Sequence, residues 1–401
     1  MEKFIFSKKI FFVIFAFSFL IFLFHTYYTK SAIFADGKFY YAITRSLVKD
    51  FDINFENDFP LLGLAPNKTV TGYVWNKYPP GSSMAWTPLF FTIDSLSQIL
   101  ENIGISVDTD GFGIYYQSSV ALSSISLGVF ALILIHKLLS EYFSEKVATL
   151  TILTMFLTTN LLFYIAVEPI NSHAVSFFTS TLFVFYFLKH NEDKYYYFVL
   201  GLIGGFAGLV RTQDILILII PTLNILLKHK TRFKTLATCY FLLATGFIFG
   251  FLPQIYFWKK IFGTFWYSPY LNEGFSFSPI EILDTLFNRM NGLFYITPAI
   301  GISLIGLLLM WKENNSKSNN LTSIGIIYFL FQLLLVTFWS PSIGGSFSNR
   351  MMITTLPLLS FGFAKIIEMI YKKTNLKFTL FLVAIFGFSN ALQIIKYLLL
   401  Y

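Results

Sequence analysis

A succession of apolar runs, each near the length needed to cross a lipid bilayer and separated by short lysine-bearing loops, constrains this chain more than any other feature. A helix of about 20 apolar residues spans a hydrocarbon core of roughly 30 Å. Inside that core only helices and closed barrels satisfy their own backbone polar groups. Runs of this kind occur at 10–24, 112–136, 147–167, 173–189, 195–210, 212–227, 235–257, 292–311, 322–339, 350–371 and 378–397. They predict an all-α polytopic membrane protein of about eleven transmembrane helices. The whole of 1–401 forms one integral-membrane domain, in which 25–111 is a long first external loop carrying short interfacial helices and 112–401 is a helix bundle. Charged residues make up only 12% of the chain, against about 25% in soluble domains, which excludes water-soluble catalysis and nucleic-acid binding. The single cysteine, Cys239, excludes an internal disulfide and a thiolate metal cage.

Lysine placement sets the orientation, because cytoplasmic loops concentrate Lys and Arg. Lys3, Lys8 and Lys9 precede the first run, no small-residue cleavage site follows it, and His25, Thr26, Tyr27 and Tyr28 close it. This predicts an uncleaved first helix with a cytoplasmic N-terminus and an aromatic interfacial anchor. The stretch Ser83 to Leu100 is apolar but contains Pro88, Asp94, Ser95, Ser97 and Gln98. If it spanned, the basic loops at 136–146, 189–194, 228–234, 312–317 and 372–377 would all face outward, so it is read as interfacial or re-entrant. Tyr195 to Leu227 is too long for one span and is read as two short ones turning at Arg211 to Asp214.

In this topology the residues suited to chemistry gather on one face of the membrane. Asp36, just past the first helix, can accept a proton from an acceptor hydroxyl, help hold a divalent cation, or simply cap the helix that follows. Asp50 and Asp52 can offer oxygen ligands to a hard cation or remain solvated loop acids. Tyr40 precedes, and Tyr78 introduces, the rigid Pro79-Pro80-Gly81 stop, which aims Tyr78 at a cavity or only shapes the backbone. Glu168 and His173 bound a turn between two spans and either border the cavity to contact substrate or sit in a solvated turn. Arg211, Gln213 and Asp214 sit where two short segments meet, an arrangement that marks binding sites. Arg211 suits a phosphate, which a guanidinium grips with two hydrogen bonds, or an ion pair with Asp214. The aromatic stretch from Ile261 to Tyr270 is an interfacial belt or a sugar-stacking wall. Arg350 follows Gly344, Gly345 and Ser346 at a helix start already positive by its dipole, which favours an anion there.

Several motifs in order resemble the bacterial multi-pass glycosyltransferases of the GT-C type, relatives of protein O-mannosyltransferases and lipid A aminoarabinose transferases. They are Asp36-Gly37 with Tyr40-Tyr41, Asp50-Phe51-Asp52, Tyr78-Pro79-Pro80-Gly81 with Trp86-Thr87-Pro88, and Gly208-Leu209-Val210-Arg211. Phe262-Gly263 through Tyr270, Gly292-Leu293-Phe294 through Pro298, and Gly344 through Arg350 with Pro357 continue the series. The resemblance implies a bacterial cytoplasmic-membrane enzyme with an external active site, a polyprenyl-phosphate sugar donor, and a lipid, glycan or protein acceptor. Asp36 takes the place of the acid that serves as base or metal-linked residue, Arg211 and Arg350 hold the donor phosphate, and Tyr40, Tyr78 and Tyr270 position sugar or prenyl groups. Some relatives carry two adjacent acids where this chain has Asp36-Gly37, leaving Glu168, or Asp50 and Asp52, to supply a second carboxylate. The rival expectation is a transporter or flippase that moves a lipid-linked sugar without breaking a bond.

Overall fold

The computed structural model describes residues 2–190, 193, 195–229, 233–267, 273–278, 280–313, 316–339 and 346–400. Among the described residues the regular structure is helical, with two isolated bridges, Lys68 to Val74 and Phe275 to Trp339. Helix α1 (Glu2–Thr29) leads into three shorter helices, α2 (Gly37–Arg45), α3 (Asp58–Leu61) and α4 (Gly81–Asn102). Then follow α5 (Ile114–Leu139), α6 (Glu145–Thr158), α7 (Ser172–Lys189), α8 (Tyr196–Val210), α9 (Ile219–His229) and α10 (Phe233–Phe262). The chain continues through α11 (Ile280–Phe287), α12 (Leu293–Ile296), α13 (Pro298–Lys312), α14 (Ser316–Phe338), α15 (Leu356–Lys373) and α16 (Leu376–Leu400).

Six helical units among the described residues are long and apolar enough to cross a membrane: Lys9–Thr29, Ile114–Leu139, Phe233–Phe262, Asn320–Phe338, Arg350–Lys373 and Leu376–Leu400. Three shorter apolar units, Tyr196–Val210, Thr212–Leu226 and Pro298–Lys312, accompany them. The chain is therefore a multi-pass membrane protein, but the expected count of eleven spans is not reached by length and composition. The stretch expected as a span at 147–167 breaks into α6 and a separate π-helical turn at Phe163–Val167, and α7 is rich in Ser and Thr. Most of their hydroxyls are hidden because they donate back to carbonyls one turn earlier, as Thr151 does to Val147 and Thr181 to Phe177. These elements lie inside the bundle, where self-satisfied hydroxyls lower hydropathy without exposing polarity.

The packing follows from small residues. Gly201 and Gly205 of α8 meet Gly246 and Gly250 of α10 so closely that a Cβ on Gly201 would lie 2.1 Å from the Leu243 carbonyl oxygen. Such spaced glycines let helix backbones touch where lipid supplies no hydrophobic drive between helices. Helix α4 is not one of the six spanning units. Its buried Asp94 accepts from Lys49 Nζ (2.8 Å) and the Tyr116 hydroxyl (2.7 Å), tying it to the 46–50 turn and to α5. The break between α8 and α9 falls at Arg211, followed by a 3-10 turn at Thr212–Leu218, in agreement with the two short segments read from the sequence.

Candidate active site

Two close backbone approaches assemble the site. A Cβ at Gly37 would lie 2.2 Å from the Ile170 carbonyl oxygen, so the start of α2 rests directly on the turn that carries Glu168 and His173. A Cβ at Gly81 would lie 2.5 Å from the Leu209 carbonyl, which sets Tyr78-Pro79-Pro80 beside Arg211. The first contact also explains the single acid at 36 and 37: any side chain at position 37 would collide with backbone.

Left-handed residues aim both key side chains. Ala35 (φ 41°) precedes Asp36, and Ser348 (φ 46°) and Asn349 (φ 35°) precede Arg350. Non-glycine residues in this region cost energy and persist only where their surroundings hold them. The second pair is held by Thr297 Oγ1 at 2.5 Å from Ser348 Oγ, by Asn160 Nδ2 donating to the Ser348 carbonyl (3.1 Å), and by the Asn349 amide donating to the Asn291 carbonyl (2.9 Å).

Asp36 precedes α2 but makes no side-chain cap, so the capping role does not apply. Its Oδ1 instead accepts from the Tyr78 hydroxyl (2.7 Å), and its Oδ2 pairs with Arg350 Nη2 (2.7 Å). Burial works to raise the Asp36 carboxyl, but the charges of Arg350 and Arg211 and the Tyr78 hydrogen bond outweigh it and hold the group below the usual carboxylate range. Asp36 is therefore ionised at neutral pH. Burial and the Asp36 charge push the Tyr78 phenol well above its ordinary value, which keeps it a hydrogen-bond donor.

Arg211 differs from Arg350. No carboxylate lies within ion-pairing distance of it among the described residues; its Nη1 donates to Ser172 Oγ (3.1 Å) and contacts His173 Nδ1 (3.0 Å), and its Nε is buried without a partner. The alternative of an Arg211–Asp214 ion pair is not realised, because buried Asp214 accepts from Ser176 Oγ (2.5 Å). His173 is fully buried with its ring 4.3 Å from Tyr164, so it supports Arg211 from behind. Gln213 fixes the Met351 carbonyl (3.2 Å) and joins the Arg211 turn to the segment after Arg350.

These groups open on a cavity of about 610 Å³. Asp36, Tyr40, Lys77, Tyr78, Arg211, Gln213 and Arg350 form its polar end. Ile215, Leu216 and Ile219 of the α9 side and Leu335, Val336 and Trp339 of the α14 side form an apolar shaft. Glu168 does not line this cavity, though it is close enough for its carboxyl to feel Arg350 and Asp36. Burial is the main force on Glu168 and pushes it up to about 7. Asp214 and His173 stand behind the wall. Tyr270 lies outside the described residues.

Asp50 and Asp52, the possible cation ligands, are occupied otherwise: Asp50 pairs with Arg45 (2.7 Å), and Asp52 accepts from Ser46 Oγ (2.7 Å) and the Asn54 amide (3.0 Å). Among the described residues no three His, Cys, Asp or Glu side chains converge as a metal-binding group. Lys77, Phe275 and the shaft residues of α14 were not singled out by sequence. Lys77, paired with Glu273 at 2.7 Å, was legible as a charge beside Tyr78; the shaft residues, in a chain that is apolar nearly throughout, carry no distinguishing signal.

The comparisons with known proteins fall on this arrangement. Residues 112–257 match the model of the family described as dolichyl-phosphate-mannose-protein mannosyltransferase. A solved structure, ArnT from Cupriavidus metallidurans in the apo state, is similar over 84% of this chain at 12% identity and a TM-score of 0.48. This chain spans 55% of that protein's length. No curated protein sequence matches the chain. The family match agrees with the resemblance carried by the motifs: the chain is similar to the GT-C type of integral-membrane glycosyltransferase.

Proposed function

We propose that this protein transfers a sugar from a polyprenyl-phosphate donor to a lipid, glycan or protein acceptor at the external face of the bacterial cytoplasmic membrane. One observation carries the reading: a single cavity joins an apolar shaft to a polar end where two guanidinium groups face one carboxylate. The shaft suits a prenyl chain that stays in the bilayer, and the surplus cation suits the phosphate at its end. In the reaction the acceptor oxygen attacks the anomeric carbon, its proton passes to a carboxylate, and the bond from that carbon to the phosphate oxygen breaks. The donor phosphate goes from a singly charged diester to a more highly charged monoester. Arg211, with no carboxylate of its own, is placed to offset that charge, and preorganised charge of this kind is often the largest catalytic contribution.

Asp36 is the acceptor base in this reading. While Arg350 and Tyr78 hold it, it is weakly basic; transfer of Arg350 to the donor phosphate frees one carboxylate oxygen for the incoming hydroxyl. Glu168 is the second carboxylate, reaching the pair from outside the cavity. Tyr40 and Tyr78 flank the sugar.

The test is sugar transfer by purified protein with a panel of polyprenyl-phosphate sugars, with a chelator arm to read metal dependence. Product with a new glycosidic bond supports the reading. Donor movement across vesicles without bond cleavage assigns the protein instead to lipid flipping. The side of the site is read by cysteines introduced at Asn57 and Ser140: labelling at 57 from outside the cell and protection at 140 are expected, and the reverse places the site in the cytoplasm.

A further inference from the structure

Several cations at the site end of the bundle are ion-paired. Arg45 holds Asp50 and Asp58, Lys49 holds Asp94, Lys77 holds Glu273, and Arg350 holds Asp36. At the opposite end Lys365 and Lys372 share Glu368. Arg289, in the turn after α11, and Lys396, near the end of α16, are among those that are not: both are exposed, and neither has an ion pair or hydrogen bond among the described residues. They come from distant parts of the chain yet line one small pocket, together with Gln393, Phe347 and Tyr397. The Gln393 amide is also unused, and its Oε1 is buried without a partner.

Lysine near a helix end commonly stretches to the interface on its own, which needs no ligand. Two cations and an idle amide converging on one concavity go beyond that. The helix face leading away from them supplies the other half of an amphiphile's site. One and two turns before Lys396, Leu392 and Phe388 lie on the same face of α16 and are 50% and 67% exposed. The pocket thus has a basic head and an apolar runway on a helix of spanning length.

We propose that Arg289 and Lys396 bind the phosphate of an acidic glycerophospholipid whose acyl chains lie along Leu392 and Phe388. The site is separate from the main cavity and does not rest on the proposed reaction. It adjoins that cavity's framework, however. Tyr397 packs its ring 5.8 Å from Phe347 and 5.3 Å from Phe163, and the Phe347 carbonyl accepts from the Tyr164 hydroxyl (3.0 Å). A lipid seated here braces the segment from Ser346 to Arg350 from behind.

Native mass spectrometry of the purified full chain, titrated with phosphatidylglycerol or phosphatidylcholine, tests the site. Wild type is expected to bind phosphatidylglycerol more tightly, and Arg289→Gln with Lys396→Gln to weaken that binding by about 25-fold, roughly fivefold for each cation near a membrane surface. Lys372→Gln, at the opposite end, is the control and leaves binding unchanged. Both substituted residues are exposed, and an unaltered melting temperature checks that the fold is intact. Equal binding of the acidic lipid by wild type and the double variant overturns the proposal, as does equal affinity for the two lipids. Displacement of phosphatidylglycerol by millimolar inorganic phosphate would show a site for the free anion and overturn the lipid assignment.

Discussion

Two guanidinium–carboxylate sites of this protein are balanced in opposite ways. In the first, Arg45 donates to Asp50 (2.7 Å), Asp58 (2.8 Å) and the Asp110 carbonyl (2.8 Å), and its guanidinium lies 4.9 Å from the centre of the Phe112 ring. One cation there serves two carboxylates. Burial outweighs the pull of Arg45 and pushes the Asp58 carboxyl up to about 6. In the second, Arg350 and Arg211 stand near one carboxylate, Asp36, at the end of a cavity. The first is a closed clasp that fixes the α2–α3 segment against the loop before α5. The second has cation to spare and an opening beside it. In the proposed reading, this excess of fixed positive charge facing the cavity receives the donor phosphate.

Substitution of the two arginines separates these roles. Arg45→Met leaves Asp50 and Asp58 without their buried partner, and breaking a buried pair in this way costs about 3–5 kcal/mol. A large fall in melting temperature is expected for it. Arg211→Gln removes no ion pair, so the melting temperature should hold or rise. It should instead weaken the binding of a polyprenyl phosphate by roughly 10- to 100-fold, the worth of a hydrogen bond to a charged group. A loss of stability without a loss of affinity at Arg211 would make it structural and erase the contrast.

Glu168 sharpens the comparison through pH. A carboxyl raised to about 7 by burial favours the folded state in its protonated form. That stability is present in full below the ordinary glutamate range and is lost as pH rises from there through about 7. Glu168→Gln should therefore flatten the fall in melting temperature over this interval, and remove from the transfer rate any rise that follows Glu168 ionisation. A wild-type stability curve flat between pH 5 and 8, to within about a degree, would contradict the burial of this group.

The smallest effect concerns strain. Ala35→Gly relieves a left-handed alanine and should stabilise the fold by roughly 1 kcal/mol. If the strain aims Asp36, the same change lowers the transfer rate while donor affinity stays put.

Much of the site was legible because charge is scarce in this chain. Asp36, Arg211 and Arg350 stand out in apolar surroundings, and the two segments flanking Arg211 mark a broken helix by their short lengths alone. Their partners were not legible. Asp36 meets Arg350 and Tyr78 across long sequence separations, and Ser172 and His173 reach Arg211 because the start of α7 packs against the end of α8. The apolar shaft was hidden for a different reason: the residues facing it and those facing lipid have the same chemistry. Length and composition do not confirm the count of eleven spans, because they cannot tell a helix buried among helices from one facing lipid, and α6 and α7 are of the first kind.

The central claim is that Asp36 accepts a proton as the donor phosphate leaves. The most direct measurement is single-turnover sugar transfer by Asp36→Asn, with donor binding followed separately. The substitution keeps the shape and the Tyr78 hydrogen bond but removes the base, so the rate should fall by about 10²- to 10⁴-fold while donor affinity is retained or increased by the freed Arg350. Transfer at the wild-type rate would remove Asp36 from the chemistry.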